Sequence, residues 1–101
     1  MFLALWEFEV KPGCENRFES VYGPGGDWAR LFATDSNYRG TRLLCDISRK
    51  NFYLTADSWQ SRVAYESYMR SHQSEYEALD AICAGLTLSE RRIGVYEDVY
   101  P

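Results

Sequence analysis

Asn51-Phe-Tyr-Leu-Thr-Ala-Asp-Ser-Trp-Gln-Ser-Arg-Val-Ala-Tyr-Glu-Ser-Tyr-Met-Arg-Ser-His72 begins as a strand and continues as a helix. Phe52, Leu54 and Ala56 fall on one face of the strand, and Tyr53, Thr55 and Asp57 on the other. Asp57 and Ser58 break the alternation and are expected to cap the helix, with Gln60 completing a capping box. From Trp59 the period becomes helical, and Tyr65, Tyr68, Met69 and His72 line one stripe. This places Trp59 at a strand-helix corner, where a large side chain can wall a cleft.

Upstream, residues 2–10 alternate: Phe2, Ala4, Trp6, Phe8 and Val10 face one way, and Leu3, Leu5, Glu7 and Glu9 the other. Lys11-Pro12-Gly13 ends this strand, with Pro12 expected in the first turn of the next helix. Cys14, Phe18, Val21 and Tyr22 recur at helical spacing until Gly23-Pro24-Gly25-Gly26 stops them. Asp27 is then expected to cap a short helix, 28–33, that buries Trp28, Leu31 and Phe32. Residues 38–47 read as a strand with Leu44 on one face and Leu43, Cys45 and Ile47 on the other. The polar connection Ser48-Arg49-Lys50-Asn51 has hairpin length, so this strand should pair antiparallel with 52–57.

Downstream, Ser74 and Glu77 read as a second capping box. It opens a helix with Tyr76, Leu79, Ile82 and Cys83 on one face, ended by Gly85. Residues 86–97 form a last strand, with Arg91 and Arg92 exposed. The order of strand, helices, two strands, helices and strand implies a single α+β domain, 1–101. Its expected form is a ferredoxin-like split β-α-β with a four-stranded antiparallel sheet and helices on one face. Leu3 and Leu5, Leu43 and Cys45, and Ile93 and Val95 put apolar groups in both strand registers. A second copy covering the bare face, a homodimer, is the expected consequence.

A chain of 101 residues holds one core. Its aromatic share of 16% exceeds what that core needs, so some rings should line a cavity or interface. The net charge of −4 lies wholly in the second half, and no basic stripe marks a nucleic-acid partner. Cys14, Cys45 and Cys83 are widely spaced and His72 is the sole histidine, which argues against a structural metal site. The N-terminus lacks a signal-peptide pattern, and no apolar run nears the ~20 residues of a membrane span. A reduced, cytoplasmic protein with no membrane partner is the expectation.

The opening strand into Lys11-Pro12-Gly13, the hairpin, the Ser58-Trp59 corner and the Arg70-Ser71-His72 helix end together resemble the antibiotic-biosynthesis-monooxygenase family. Tyr22-Gly-Pro-Gly-Gly-Asp-Trp-Ala-Arg-Leu-Phe32 is similar to a subgroup of it. The resemblance implies a dimeric α+β barrel with a cleft between sheet and helices. In enzymatic members that cleft oxidises polycyclic phenols or quinols with molecular oxygen, without metal or flavin. Their pattern is an Asn on the strand, then a Trp, then a Tyr on the following helix. Trp59 and Tyr65 match, while the strand carries Thr55 and Asp57 in place of the Asn. A haem-degrading branch adds an Asn on the first strand and a helical His; His72 lies in that region, but the strand has Leu5 and Trp6.

The expected function is therefore a cofactor-independent monooxygenase acting on a small aromatic, phenolic or quinol molecule. The alternatives are a non-catalytic barrel that binds such a ligand and a haem-binding relative. Trp59, Tyr65 and His72 are the candidate catalytic residues, and Thr55, Tyr68, Trp28 and Phe32 the candidate substrate-binding ones. Four of them have a structural alternative: Trp59 as a core aromatic, Tyr65 and Tyr68 as packing with a wet hydroxyl, and His72 as a helix-end residue contacting free carbonyls. Arg42 is expected to pair across the hairpin with Asp57.

Overall fold

The structure is a computed structural model and describes residues 1–100. Four strands form one antiparallel sheet: β1 (Phe2–Val10), β2 (Tyr38–Cys45), β3 (Phe52–Trp59) and β4 (Thr87–Glu97), in the order β2-β3-β1-β4. Helices α1 (Glu15–Tyr22) and α2 (Asp27–Phe32) connect β1 to β2. Helices α3 (Arg62–Ser71) and α4 (Gln73–Cys83), with a 3-10 turn at Ala84–Leu86, connect β3 to β4. Each helical connection thus returns the chain to a strand one place removed, with the intervening strand running the other way. This is the ferredoxin-like split β-α-β read from the element order. No described helix is long and apolar enough to cross a membrane.

Alternation on β1 decides which face the helices cover. Phe2, Ala4, Phe8 and Val10 are buried, whereas Leu3, Leu5, Glu7 and Glu9 are half-buried on the opposite face. On the covered side Phe18 stacks on Tyr22 at 4.2 Å, and Phe8 lies 4.9 Å from Tyr22. Trp28, Phe32, Trp59 and Tyr68 extend this aromatic core toward α3. On the uncovered side Leu3, Leu5, Leu44 and Leu54 remain half-exposed. They lie beside Glu7, which accepts from Arg49 at 2.7 Å and Arg91 at 3.1 Å.

Several local expectations are corrected. Asp57 and Ser58 do not cap a helix: β3 runs on to Trp59, which pairs with Phe2 on one side and Tyr38 on the other. Ser61 is the cap, its hydroxyl accepting from the Ala64 N–H at 3.1 Å. Asp27 is the first residue of α2, with Gly26 at the cap, and its carboxylate binds Arg30 instead. Pro12 sits in the turn before α1, where Gly13 adopts φ +90. α4 starts at Gln73, so Ser74 lies inside the helix and its box does not form. β2 ends at Cys45, leaving Ile47 98% exposed in the connection, and Ile82 is 70% exposed on the outer side of α4. Arg42 and Asp57 occupy opposite faces of the hairpin and make no pair: Arg42 stands across from Ala56, and Asp57 from Thr41.

Candidate functional site

A narrow cleft, about 560 Å³ with its open mouth, lies between the covered face of the sheet and the helices. The sheet supplies Ala4, Trp6 and Phe8 from β1, Thr41 from β2, Thr55 and Asp57 from β3, and Glu90 from β4. The helices supply Tyr22, Trp28, Phe32, Tyr65, Met69, Tyr76 and Asp80. Inward positions on all four strands and side chains from all four helices therefore make an aromatic-walled slot.

Of the residues expected at the site, Tyr65, Thr55, Trp28 and Phe32 line the cleft. Trp59 does not. It is wholly buried behind Tyr65, its ring 5.8 Å from Tyr65, 5.0 Å from Tyr68, 5.4 Å from Tyr38 and 5.5 Å from Phe32. Its indole N–H meets no hydrogen-bond partner among the described residues. Tyr68 is also buried, and its hydroxyl donates to the Leu31 carbonyl at 3.2 Å, tying α3 to α2. His72 stands at the α3-α4 junction, stacked on Tyr68 at 4.2 Å with Nδ1 3.2 Å from the Tyr68 carbonyl. It is absent from the cleft lining, and this placement is the helix-end role weighed from sequence.

Sequence reading missed the polar cluster of the cleft. Asp57 Oδ1 accepts from the Thr41 hydroxyl at 2.5 Å. Thr41 Oγ1 in turn lies 2.5 Å from the Tyr38 hydroxyl. Thr41 has one hydroxyl proton and gives it to the carboxylate, so Tyr38 is the donor in that second bond. Residues three apart on a regular strand face opposite sides. Here a bulge at Arg39–Gly40 adds one residue and turns Tyr38 and Thr41 to the same face. Gly40 sits at φ +123, a conformation open to glycine and costly for residues with a Cβ. A second bulge, between Leu5 and Trp6 in the β1-β4 pairing, lies beside Trp6 at the cleft.

Burial dominates the electrostatics. It pushes the Asp57 carboxyl up to about 6, against the opposing Thr41 hydrogen bond. Glu90 is raised by burial and by the nearby Asp80. The Tyr65 and Tyr76 phenols are also raised by burial, and in both the Asp57 charge adds to the effect. Among the described residues none of Asp57, Asp80 and Glu90 makes an ion pair, and no lysine, arginine or histidine lines the cleft. Among the described residues no three His, Cys, Asp or Glu side chains converge as metal ligands would.

The ferredoxin-like fold is shared with solved structures named antibiotic biosynthesis monooxygenases. SnoaB, a cofactor-independent oxygenase from Streptomyces nogalater, superposes with a TM-score of 0.78 at 19% identity. That match covers 99% of this chain and 94% of SnoaB. A Bordetella bronchiseptica protein named as an antibiotic biosynthesis monooxygenase matches at 0.76 and 17% identity, over 97% and 96% of the two chains. One from Deinococcus radiodurans matches at 0.74 and 12% identity, over 100% and 95%. No family model and no curated relative matches the chain. The likeness read from sequence thus holds at the level of the fold.

Proposed function

We propose that the protein is a cofactor-independent monooxygenase that oxidises a small hydroxylated aromatic molecule with molecular oxygen. The observation that carries this reading is the open, aromatic-walled cleft between sheet and helices, in a fold shared with a cofactor-independent oxygenase. Rings on both walls suit a flat substrate. Unpaired carboxylates at Asp57, Asp80 and Glu90 favour one that enters neutral rather than anionic. With a quinol, one oxygen atom enters a ring C–H bond as a hydroxyl while the quinol becomes a quinone and the other oxygen leaves as water. The substrate thus supplies all four electrons, and no external reductant is needed. Tyr65 meets the substrate directly, Thr55, Trp28 and Phe32 shape its bed, and Trp59 holds Tyr65 in place from behind. His72 acts on the helix junction.

Oxygen uptake tests this reading. Purified protein should consume oxygen with 1,4-naphthalenediol faster than autoxidation does. Met69→Trp, which fills the cleft from α3, should lower the rate about tenfold or more through lost positioning. Equal uptake in the filled variant, or none with any of a panel of simple quinols, contradicts it.

The assembly proposed with this function is a homodimer joined through the uncovered sheet face. Half-exposed Leu3, Leu5, Leu44 and Leu54 supply the apolar centre. Burying that face should remove at least ~1,200 Å² in total, the lower bound of a specific interface. Light scattering at micromolar concentration should return twice the 11.7 kDa chain mass, and a monomeric mass defeats the proposal.

A further inference from the structure

We infer that Asp57 is the proton acceptor of the cleft, taking the hydroxyl proton of a phenolic substrate while Thr41 and Tyr38 position its carboxylate. The inference rests on the function proposed above and assigns its base.

The geometry singles out this carboxylate. β3 presents Asp57 inward beside Thr55, and both line the cleft. One carboxylate oxygen is held by Thr41, itself held by Tyr38, whereas among the described residues no donor reaches the other. That free oxygen is the natural acceptor for a substrate O–H. The groups that feel the Asp57 charge are Tyr65 from α3, Tyr76 from α4 and Tyr38 from β2; Asp80 of α4 and Glu90 of β4 act on Tyr76, and Arg92 of β4 on Tyr65. No ion pair neutralises Asp57, so burial makes it about a hundredfold stronger base than an ordinary aspartate. It remains mostly ionised at pH 7, which a base requires. The sole imidazole, His72, is spent on the Tyr68 carbonyl outside the cleft.

In the step, the aromatic O–H bond breaks and the proton bonds to the free oxygen of Asp57. The electron pair stays on the aromatic oxygen, giving the electron-rich anion that dioxygen oxidises. Asp57 becomes neutral as the substrate becomes charged, so the charge within the cleft does not change. A base outside the cleft would instead leave a new anion facing Asp57, Asp80 and Glu90.

A chromogenic phenol tests the inference without depending on turnover. 4-Nitrophenol bound to the wild-type protein should titrate at least one pH unit higher than in free solution, because ionised Asp57 accepts from its neutral hydroxyl. In Asp57→Asn that displacement should collapse while the probe still binds, and in His72→Gln it should persist. With 1,4-naphthalenediol, kcat/KM of the wild type should fall below about pH 6. Asp57→Asn should lose at least a hundredfold in kcat. Thr41→Val should move the acid limb upward, since it removes the bond that favours ionised Asp57. An unchanged probe titration in Asp57→Asn, or a limb that follows His72, overturns the assignment and leaves the oxygenase reading standing. Failure of the probe to bind at millimolar concentration overturns both, and oxygen inertness with a normal probe titration overturns only the oxygenase reading.

Discussion

Trp59→Ala should destabilise the protein by about 3–5 kcal/mol, the range for deleting a buried Trp or Phe side chain. The indole has no exposed surface and is wedged among Phe32, Tyr38, Tyr65 and Tyr68. These neighbours come from α2, β2 and α3, so no single element can move to refill the space. A domain of this size has only about 5–15 kcal/mol of stability, and such a loss consumes much of it. Trp59→Phe should behave quite differently. It removes an N–H that is buried without a partner, which offsets part of the lost packing, so the net cost is about 1 kcal/mol or less. Urea titration of both variants checks this. An alanine variant within 1 kcal/mol of wild type would show that Trp59 is not the keystone of this end of the core.

Asp57→Asn should stabilise the protein by about 1–3 kcal/mol at pH 7.5 and change little at pH 4. Burial raises the folded-state value to about 6 from an ordinary 3.8, so the folded protein holds this proton more tightly than the unfolded chain. The cost of an ionised Asp57 is fully present above pH 6, fades as pH falls, and is gone below 3.8. Asparagine keeps an oxygen for Thr41 and removes the charge. Glu7 and Asp46 are shifted the other way by their arginine and backbone partners, so the wild-type profile alone is composite. The difference between wild type and variant isolates Asp57. Urea midpoints at the two pH values suffice, and a variant equally or less stable at pH 7.5 contradicts the account. A carboxylate kept at a cost to stability is what a working site shows.

Much of the fold was legible because its signals are local. Alternation on β1 separated Phe2, Ala4, Phe8 and Val10 from Leu3, Leu5, Glu7 and Glu9, and burial follows that division. The glycine run after Tyr22 and the stripe of Tyr65, Tyr68 and Met69 set the helices in place. The errors arise where distant pairing overrides local preference. Asp57-Ser58 has the chemistry of a cap, but β1 and β2 flank β3 on both sides and hold it extended to Trp59. The corner therefore moves to Ser61, and Trp59 goes into the core instead of the cleft wall.

At the site, Tyr65 and Thr55 were reachable through the family resemblance and Trp28 and Phe32 through helical spacing, whereas the Tyr38–Thr41–Asp57 chain was not. Strict alternation puts Tyr38 and Thr41 on opposite faces, and only the bulge at Gly40 reunites them. Asp57 itself did carry a signal: it shares the inward face with Tyr53 and Thr55. A carboxylate in that register is either solvated at a cleft or paired, and the expected partner, Arg42, faces the other way.

The cleft can be reached directly through the indole N–H signals of Trp6, Trp28 and Trp59 in a nitrogen-proton correlation spectrum. Trp6 and Trp28 line it, and Trp59 lies behind Tyr65. On titration with 1-naphthol, a flat hydroxyaromatic, the Trp6 and Trp28 signals should move together along one saturating curve. The Trp59 signal should move far less. Shifts confined to the outer sheet face, at Leu3 or Leu54, or an unchanged spectrum at millimolar naphthol, would contradict the claim that this cleft is where the protein meets its substrate.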